Sequence, residues 1–328
     1  MENCNALILM ATYNGEKYIS QQIDSILNQT FTNWKLIIRD DGSSDDTVKI
    51  IQSFAVRDER IVVLENKSSI HGAYQNFWWL VNHANELPAF NYYLFSDQDD
   101  IWLPNKIEKM IATISSKKNK PCLAYADMQI IDGAGKLVYE SLDKLNGLSE
   151  IGQYSQFFAH AFVAGCNAII NRKLFELVPP YPYTKNTSKI MAHDSYYTKF
   201  ALACGEVVYL NFHGIQYRRH GNNVTKETYK LTPRKVLEKA TGVFGELAKT
   251  NGRVYAQTLL TIEQMKKAGV IMPDIACIEA GIKAGGIKGV NVLKKYHVQR
   301  KQKSRTIGLY VVMLLGTYKK YMKEFMEM

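Results

Sequence analysis

The chain has 328 residues, 46% of them apolar, with 13 Phe, 20 Tyr and 4 Trp, which is ample for a packed core and excludes wholesale disorder. That length accommodates one large α/β domain with an appendage, or two domains. The net charge of +10 is uneven: residues 231–328 carry 18 Lys+Arg against 7 Asp+Glu and residues 1–230 carry 23 against 24, so any anionic surface is met by the C-terminal third alone.

In chain order, Ala6–Ala11 is a continuous apolar run, as expected of a strand buried on both faces. It enters turn chemistry at Thr12-Tyr13-Asn14-Gly15-Glu16, and Ile19, Ile23, Ile26 and Leu27 then repeat at helical spacing. Trp34–Arg39 predicts a second strand, ending at Asp40-Asp41-Gly42-Ser43-Ser44-Asp45-Asp46, where Ser44 or Asp45 can cap a helix through Val48, Ile51 and Phe54. Ile61–Leu64 is a third strand, and Gly72 opens a helix through Phe77, Leu80 and Val81. Tyr92–Ser96 is the fourth strand. It ends in Asp97-Gln98-Asp99-Asp100, before a helix with a core face at Ile107, Met110, Ile111 and Ile114.

Strand and helix alternate four times over short connections, which predicts an α/β fold with a mainly parallel, doubly wound sheet. The clusters Thr12–Glu16, Asp40–Asp46 and Asp97–Asp100 all fall at strand carboxyl ends, where such sheets bind ligands. Three carboxylates within four residues at the end of a buried strand call for a compensating cation, and a divalent metal bridging phosphate oxygens supplies one. The competing reading is an acidic turn that caps the helix after Pro104.

Beyond residue 120 the pattern changes. Leu123–Ile131 predicts a strand containing Asp127, with a hairpin turn at Asp132-Gly133-Ala134-Gly135. Ser141–Phe158 reads as a surface excursion, Phe162–Ile170 as a strand interrupted by Gly165, and Met191–Ala203 as a helix with His193-Asp194 in its first turn. Val207–Leu210 is a short strand and Asn211–Thr228 a polar loop. Thr232-Pro233 is a helix start, which places the domain boundary near residue 230.

Helices are expected over Val236–Lys249, Val254–Ala268 and Ile287–Tyr318, broken by glycines. The uncharged run Thr306–Tyr318 reaches about 20 Å, short of the ~30 Å hydrocarbon core. With Arg300, Lys301, Lys303, Arg305, Lys319, Lys320 and Lys323 around it, this segment suits a helix lying on an anionic membrane face; a core helix with a solvated basic face, or an oligomer contact, is the alternative. The five cysteines (Cys4, Cys122, Cys166, Cys204, Cys277) are dispersed without a CxxC pair, which fits a reducing, cytoplasmic setting. The first residues carry no basic segment followed by an apolar one, so no signal peptide is expected.

Ala11-Thr12-Tyr13-Asn14-Gly15-Glu16, Asp40-Asp41-Gly42-Ser43-Ser44-Asp45 and Ser96-Asp97-Gln98-Asp99-Asp100 together resemble family 2 of the inverting glycosyltransferases, which have the GT-A fold. Ala192-His193-Asp194 and Tyr217-Arg218-Arg219-His220-Gly221-Asn222-Asn223-Val224 are similar to the bacterial rhamnosyltransferase branch, which builds cell-surface polysaccharides. The resemblance covers roughly residues 5–225. It implies a GT-A domain over 1–230 with a basic, mainly helical region over 231–328. It also implies that Thr12, Tyr13 and Glu16 line the nucleotide, that Asp40 and Asp41 reach its base and ribose, and that Asp97 and Asp99 hold ribose and a divalent metal, Mn2+ or Mg2+. His220 is implied as a further metal or diphosphate contact, Arg219 as a phosphate partner and Asp194 as the general base. The implied reaction moves a sugar, best L-rhamnose from dTDP-L-rhamnose or else a hexose from a UDP-sugar, to a lipid-linked glycan, from the inner face of the cell membrane.

Two features depart from the pattern. No QxxRW follows the base, against processive synthesis, and Ser195-Tyr196-Tyr197 stands where relatives often place other aromatics. Trp78, Trp79 and Trp102 are candidates for sugar stacking or for the core. A nucleotidyltransferase would need a Gly-rich basic loop after the first strand, and Thr12–Tyr18 has one glycine and one lysine. A nucleic-acid-binding module would need its basic patch at the recognition edge, which here is acidic.

Overall fold

The computed structural model describes residues 5–147, 154–158, 163–182, 191–221, 242–270, 272, 274–300 and 303–327. Two compact units partition the chain: residues 1–145 with 163–220, and residues 146–162 with 221–328.

The first unit is built on one mixed sheet. Strands β1 (Ala6–Thr12), β2 (Trp34–Asp40), β3 (Ile61–Glu65) and β4 (Tyr92–Ser96) are parallel, in the spatial order β3-β2-β1-β4. Helices α1 (Ile19–Leu27), α2 (Thr47–Ala55) and α3 (Ala73–Asn85) make the crossovers. Ile8, Leu36, Leu94, Ile23 and Ile51 are fully buried and join one core. The expected βαβ order is therefore present, strand for strand.

Past β4 the sheet changes character. β5 (Ile101–Trp102) and α4 (Lys106–Ser115) lead to β6 (Cys122–Asp132) and its hairpin partner β7 (Leu137–Tyr139), followed by α5 (Leu142–Asn146). β8 (Ala168–Asn171) is antiparallel to both β4 and β6. It is shorter than the strand expected over Phe162–Ile170, because Gly165–Asn167 form a 3-10 turn; Phe162 itself lies outside the described residues. α7 (Arg172–Leu177) and α8 (His193–Cys204) precede β9 (Glu206–Arg219).

β9 corrects a sequence expectation: the stretch from Asn211 to Arg219, expected as part of a polar loop, is the far half of one long strand, while residues 222–228 of that loop lie outside the described residues. It pairs in parallel with β6 as far as Asp132–Arg219 and antiparallel with β5. A register shift around Asp127 absorbs extra residues, and that irregularity broke the alternation that would have marked the strand. Asp127 is a buried anchor, accepting from Ser141 Oγ and from the backbone N–H of Asp143 at 2.9 Å.

The second unit is helical. α6 (Ser155–Phe158) is buried and its Phe157 carbonyl accepts from Thr258 Oγ1 at 2.6 Å, so the region read as a surface excursion is partly core. α9 (Gly242–Lys267) runs unbroken through Gly245 and Gly252 where two helices were expected. Gly252 is a packing position: a Cβ there would lie 2.7 Å from the Cβ of Tyr321 on α13 (Tyr318–Glu327). α10 (Ile275–Ala284), α11 (Gly286–Lys295) and α12 (Lys303–Leu315) complete the unit. The single helix expected over Ile287–Tyr318 is thus three pieces, interrupted at His297 (φ 49°) and Gly316 (φ 67°). The expected helix start at Thr232-Pro233 and boundary near residue 230 lie outside the described residues. Among the described residues, no helix is long and apolar enough to cross a membrane.

Candidate active site

β1 has β2 on one side and β4 on the other, so the strand order reverses at β1, and the carboxyl end of such a strand is where open α/β sheets bind ligands. The loops after β1 and β4 meet there through Gln98. Its Oε1 accepts from Tyr13 N at 2.8 Å and its Nε2 donates to Tyr13 O at 2.9 Å. A Cβ on Gly15 would sit 2.4 Å from Gln98 Oε1, so a larger residue there would displace this clamp. The Tyr13 ring remains 56% exposed.

The acidic cluster after β2 is closed by N–H and O–H donors. Asp40 Oδ2 accepts from Gly42 N at 3.0 Å and Ser43 N at 2.7 Å, while its Oδ1 accepts from Thr12 Oγ1 at 3.0 Å. Asp41 accepts from Gly72 N and Asn66 Nδ2, both at 2.7 Å, and lies 3.3 Å from His71 Nδ1 and 3.9 Å from the buried Arg39 guanidinium. Glu16 Oε2 accepts from Asp46 N at 3.0 Å, at the start of α2. Burial opposes ionisation of Asp45, but hydrogen bonds from Thr47 outweigh it and hold the carboxyl below its usual range.

The cluster after β4 differs. Asp97 is pushed up to about 7 by burial and then by the charge of Asp99. Asp100 is fully buried, accepts from Arg218 N at 3.0 Å through Oδ1, and has no hydrogen-bond partner for Oδ2 among the described residues. Burial and the two neighbouring carboxylates raise it well above the carboxylate range. Asp97, Asp100 and the Cys166 thiol bring donor atoms within 4.8 Å of one another. Asp99 faces His220, with Nε2 and Oδ2 2.8 Å apart. The carboxylates are hard oxygen donors, with an imidazole and one thiol beside them, and crowded carboxylates invite a cation, so the carboxylate part of the set fits a divalent metal such as Mn2+ or Mg2+.

Two internal cations brace this loop. Arg218 is 2% exposed, donates to Asp99 O at 2.8 Å and Gln21 Oε1 at 2.8 Å, and lies over the Tyr18 ring. Lys106 is fully buried, donates from Nζ to Cys166 O at 2.6 Å and sits 3.3 Å from the Trp102 ring centroid. Burial pulls its pKa down to about 7, against the attraction of Cys166, Asp100 and Asp97.

Asp194 stands in the first turn of α8, half-buried. Its Oδ1 accepts from Ser195 N at 2.6 Å and its Oδ2 from Gly165 N at 3.3 Å. The N-cap of α8 is Ala192, so Asp194 is not the capping residue. Its charge is among the smaller contributions that raise Asp97. Beside it, His193 is buried between the rings of Phe77 and Phe95, at 4.2 and 4.3 Å, and burial lowers its pKa to about 4. Lys199, one turn on, donates to Ser195 Oγ, and burial lowers its pKa to about 8.

Thr12 and Asp40 thus end β1 and β2, and Tyr13, Glu16, Asp41, Asp97 and Asp99 lie in the three loops at that sheet edge, with His220 held to Asp99. Arg219 ends β9, paired in register with Asp132, one residue beyond the buried Arg218. Sequence reasoning missed Arg218, Lys106 and Cys166. Lys106 stands four residues before Met110 on the apolar stripe of α4, a position that pointed inward. Trp78 and Trp102 are core residues, and Trp79 is half-buried between Arg39 and His83.

Comparison with known proteins adds the following. The family model described as Glycosyl transferase family 2 matches residues 7–178. A dTDP-rhamnosyl transferase of Shigella flexneri, RfbG, is 30% identical over 220 residues, 65% of this chain and 72% of its own length. A UDP-Glc:alpha-D-GlcNAc-diphosphoundecaprenol beta-1,3-glucosyltransferase of Escherichia coli, WfgD, is 35% identical over 141 residues, 42% of this chain and 52% of its own. The chain therefore spans about half of that second relative. The crystal structure of S. aureus TarS 1–349 in complex with UDP-GlcNAc superposes with a TM-score of 0.54 at 15% identity, covering 98% of this chain and 92% of that one.

Proposed function

We propose that this chain, which belongs to glycosyl transferase family 2 and has the GT-A fold, is an inverting, metal-dependent enzyme that moves L-rhamnose from dTDP-L-rhamnose to a hydroxyl of a lipid-linked cell-surface polysaccharide precursor. The observation that carries the reading is the hydrogen bond from Gly165 N to Asp194 Oδ2 at 3.3 Å, one residue from Cys166, whose thiol lies within 4.8 Å of donor atoms of Asp97 and Asp100. Inversion needs a base on the acceptor hydroxyl, on the side away from the departing diphosphate. Asp194 takes the base role: its two backbone hydrogen bonds, to Gly165 N and Ser195 N, fix the carboxylate, and its remaining lone pairs accept the proton. Thr12, Tyr13, Glu16, Asp40 and Asp41 shape the nucleotide side, with Arg219 toward phosphate. Asp97, Asp99 and His220 would hold the divalent cation. When bound, that cation supplies positive charge to offset the charge developing on the leaving diphosphate.

Rhamnose is favoured by the dTDP-rhamnosyl transferase relative, whose match covers 65% of this chain. The second reading, a UDP-hexose donor, is favoured by the glucosyltransferase relative and by the UDP-GlcNAc complex of similar fold. Both place the enzyme at a membrane surface as a peripheral protein, since the acceptor is lipid-linked.

Asp194→Ala is expected to lower transfer by about a thousandfold while nucleotide binding persists; retained turnover removes Asp194 as the base. Thermal shift and donor hydrolysis with dTDP-rhamnose, UDP-glucose, UDP-galactose and UDP-GlcNAc in Mn2+ decide between the two donors.

A further inference from the structure

One helix face in the second unit is left outside that unit's own packing. α12 buries Leu309, Val312 and Met313, while Ile307, Leu314 and Leu315 are 64%, 50% and 64% exposed. With the half-buried Val311 these residues follow i, i+4, i+7, i+8 spacing, so they form a single stripe on the side away from the buried one. The helix is held in this orientation from within. A Cβ on Gly308 would lie 2.7 Å from Leu247 Cδ2 of α9, and one on Gly289 of α11 would lie 2.4 Å from Met313 Sδ, so two close approaches fix the inner face.

The surroundings of the stripe are cationic. Exposed Lys303 stands one turn before Ile307 on the same side, and exposed Lys320 follows just beyond the Gly316 break; Lys319 is tied to Ala284 O at 2.6 Å. Residues 286–328 hold ten Lys+Arg and two Glu.

We propose that this stripe docks the protein on an anionic lipid bilayer, with α12 lying in the headgroup region, Ile307, Leu314 and Leu315 inserted, and Lys303 and Lys320 at the phosphates. An amphipathic helix of this kind binds by apolar burial together with attraction to anionic lipid. A second copy of the chain is the poorer occupant. The stripe spans only about 12 Å at ~1.5 Å per residue, whereas a stable protein interface buries roughly 800 Å² per partner. A two-fold contact would also set each cationic rim against itself. Neither objection applies to an anionic membrane. The inference deepens the membrane-surface location given above by naming the face, and needs neither the donor assignment nor the base.

The test is sedimentation of the full chain with vesicles of phosphatidylcholine alone and of equimolar phosphatidylcholine and phosphatidylglycerol. Binding is expected to the second only and to weaken with salt. Lys303→Gln and Lys320→Gln should each weaken it roughly fivefold, and Leu314→Ser/Leu315→Ser about tenfold or more. Thermal shift with UDP or dTDP on the same samples reports folding and the nucleotide site separately, so loss of vesicle binding with retained nucleotide response isolates the docking face. Equal binding to both vesicles, no binding to either, or a dimer in ultracentrifugation that the double-serine variant dissolves, each overturns the proposal.

Discussion

Asp40–Asp46 after β2 and Asp97–Asp100 after β4 both crowd carboxylates onto the same sheet edge, flanking β1, yet their surroundings are opposite. In the first cluster, backbone N–H groups of Gly42, Ser43, Gly72 and Thr47 meet the carboxylates, and the acids serve the loop. In the second, burial and mutual repulsion drive Asp97 up to about 7 and Asp100 well up, and Asp100 Oδ2 has no hydrogen-bond partner among the described residues. Acidity in a sequence does not by itself mark a cation site; the supply of donors around it decides.

The comparison can be broken at several points. The largest effect is expected from Lys106→Met, which removes the internal cation beneath the second cluster. Thermal denaturation near pH 7, where Lys106 still carries part of its charge, should show about 3 kcal/mol lost, partly restored by Mn2+; an unchanged melting temperature would separate Lys106 from the acidic loop. Next, Asp99→Ala should weaken Mn2+-dependent donor binding on the order of a hundredfold with little change in the metal-free melting temperature, and an unaltered Mn2+ titration would sink the metal assignment.

The pH response comes third. With Asp97 raised to about 7, protons compete with the cation below that pH, so Mn2+ affinity should fall up to about tenfold per unit as pH drops below 7 and level off above it. Asp97→Asn should flatten the profile, and a wild-type profile flat from about pH 6 to 8 counts against the shift. The smallest effect belongs to the first cluster: Asp45→Ala, which removes the carboxylate bonded to Thr47 N at 3.0 Å, should cost about 1 kcal/mol of stability and leave Mn2+ binding unaltered.

His193 offers a separate check. Its folded pKa near 4 lies below the unfolded 6.5, so the unfolded chain binds more protons between those values and stability falls as pH drops through that window. Replacement by Leu should remove that dependence, roughly 3 kcal/mol by pH 4.

The first four strands were legible because parallel strands buried on both faces must be continuous apolar runs, and Ala6–Met10 and Tyr92–Phe95 are such runs. The candidate site was legible for the same reason, since polar clusters at the ends of those runs share one edge. Only the near half of β9, Val207–Leu210, was legible; the far half escaped notice because it mixes polar and apolar residues across a register shift, and with it went the distinction between buried Arg218 and Arg219. Lys106 and Cys166 were hidden because their roles depend on pairing between distant segments. Gly252 read as a helix breaker because its value lies in the close approach of α13, which no local pattern records.

The assignment of residues 146–162 to the second unit has a practical consequence for dissecting this protein. The chain crosses between units at three places, after Leu145, after Phe162 and after His220, so no single cut separates them. A fragment ending near residue 220 would retain Phe157 and Phe158, both fully buried, but lose α9, whose Thr258 and Tyr255 meet them. Such a fragment would carry an orphaned apolar segment inside a loop and tend to aggregate. A cleaner excision replaces the segment between Leu145 and Val163 with a short Gly/Ser linker before truncating.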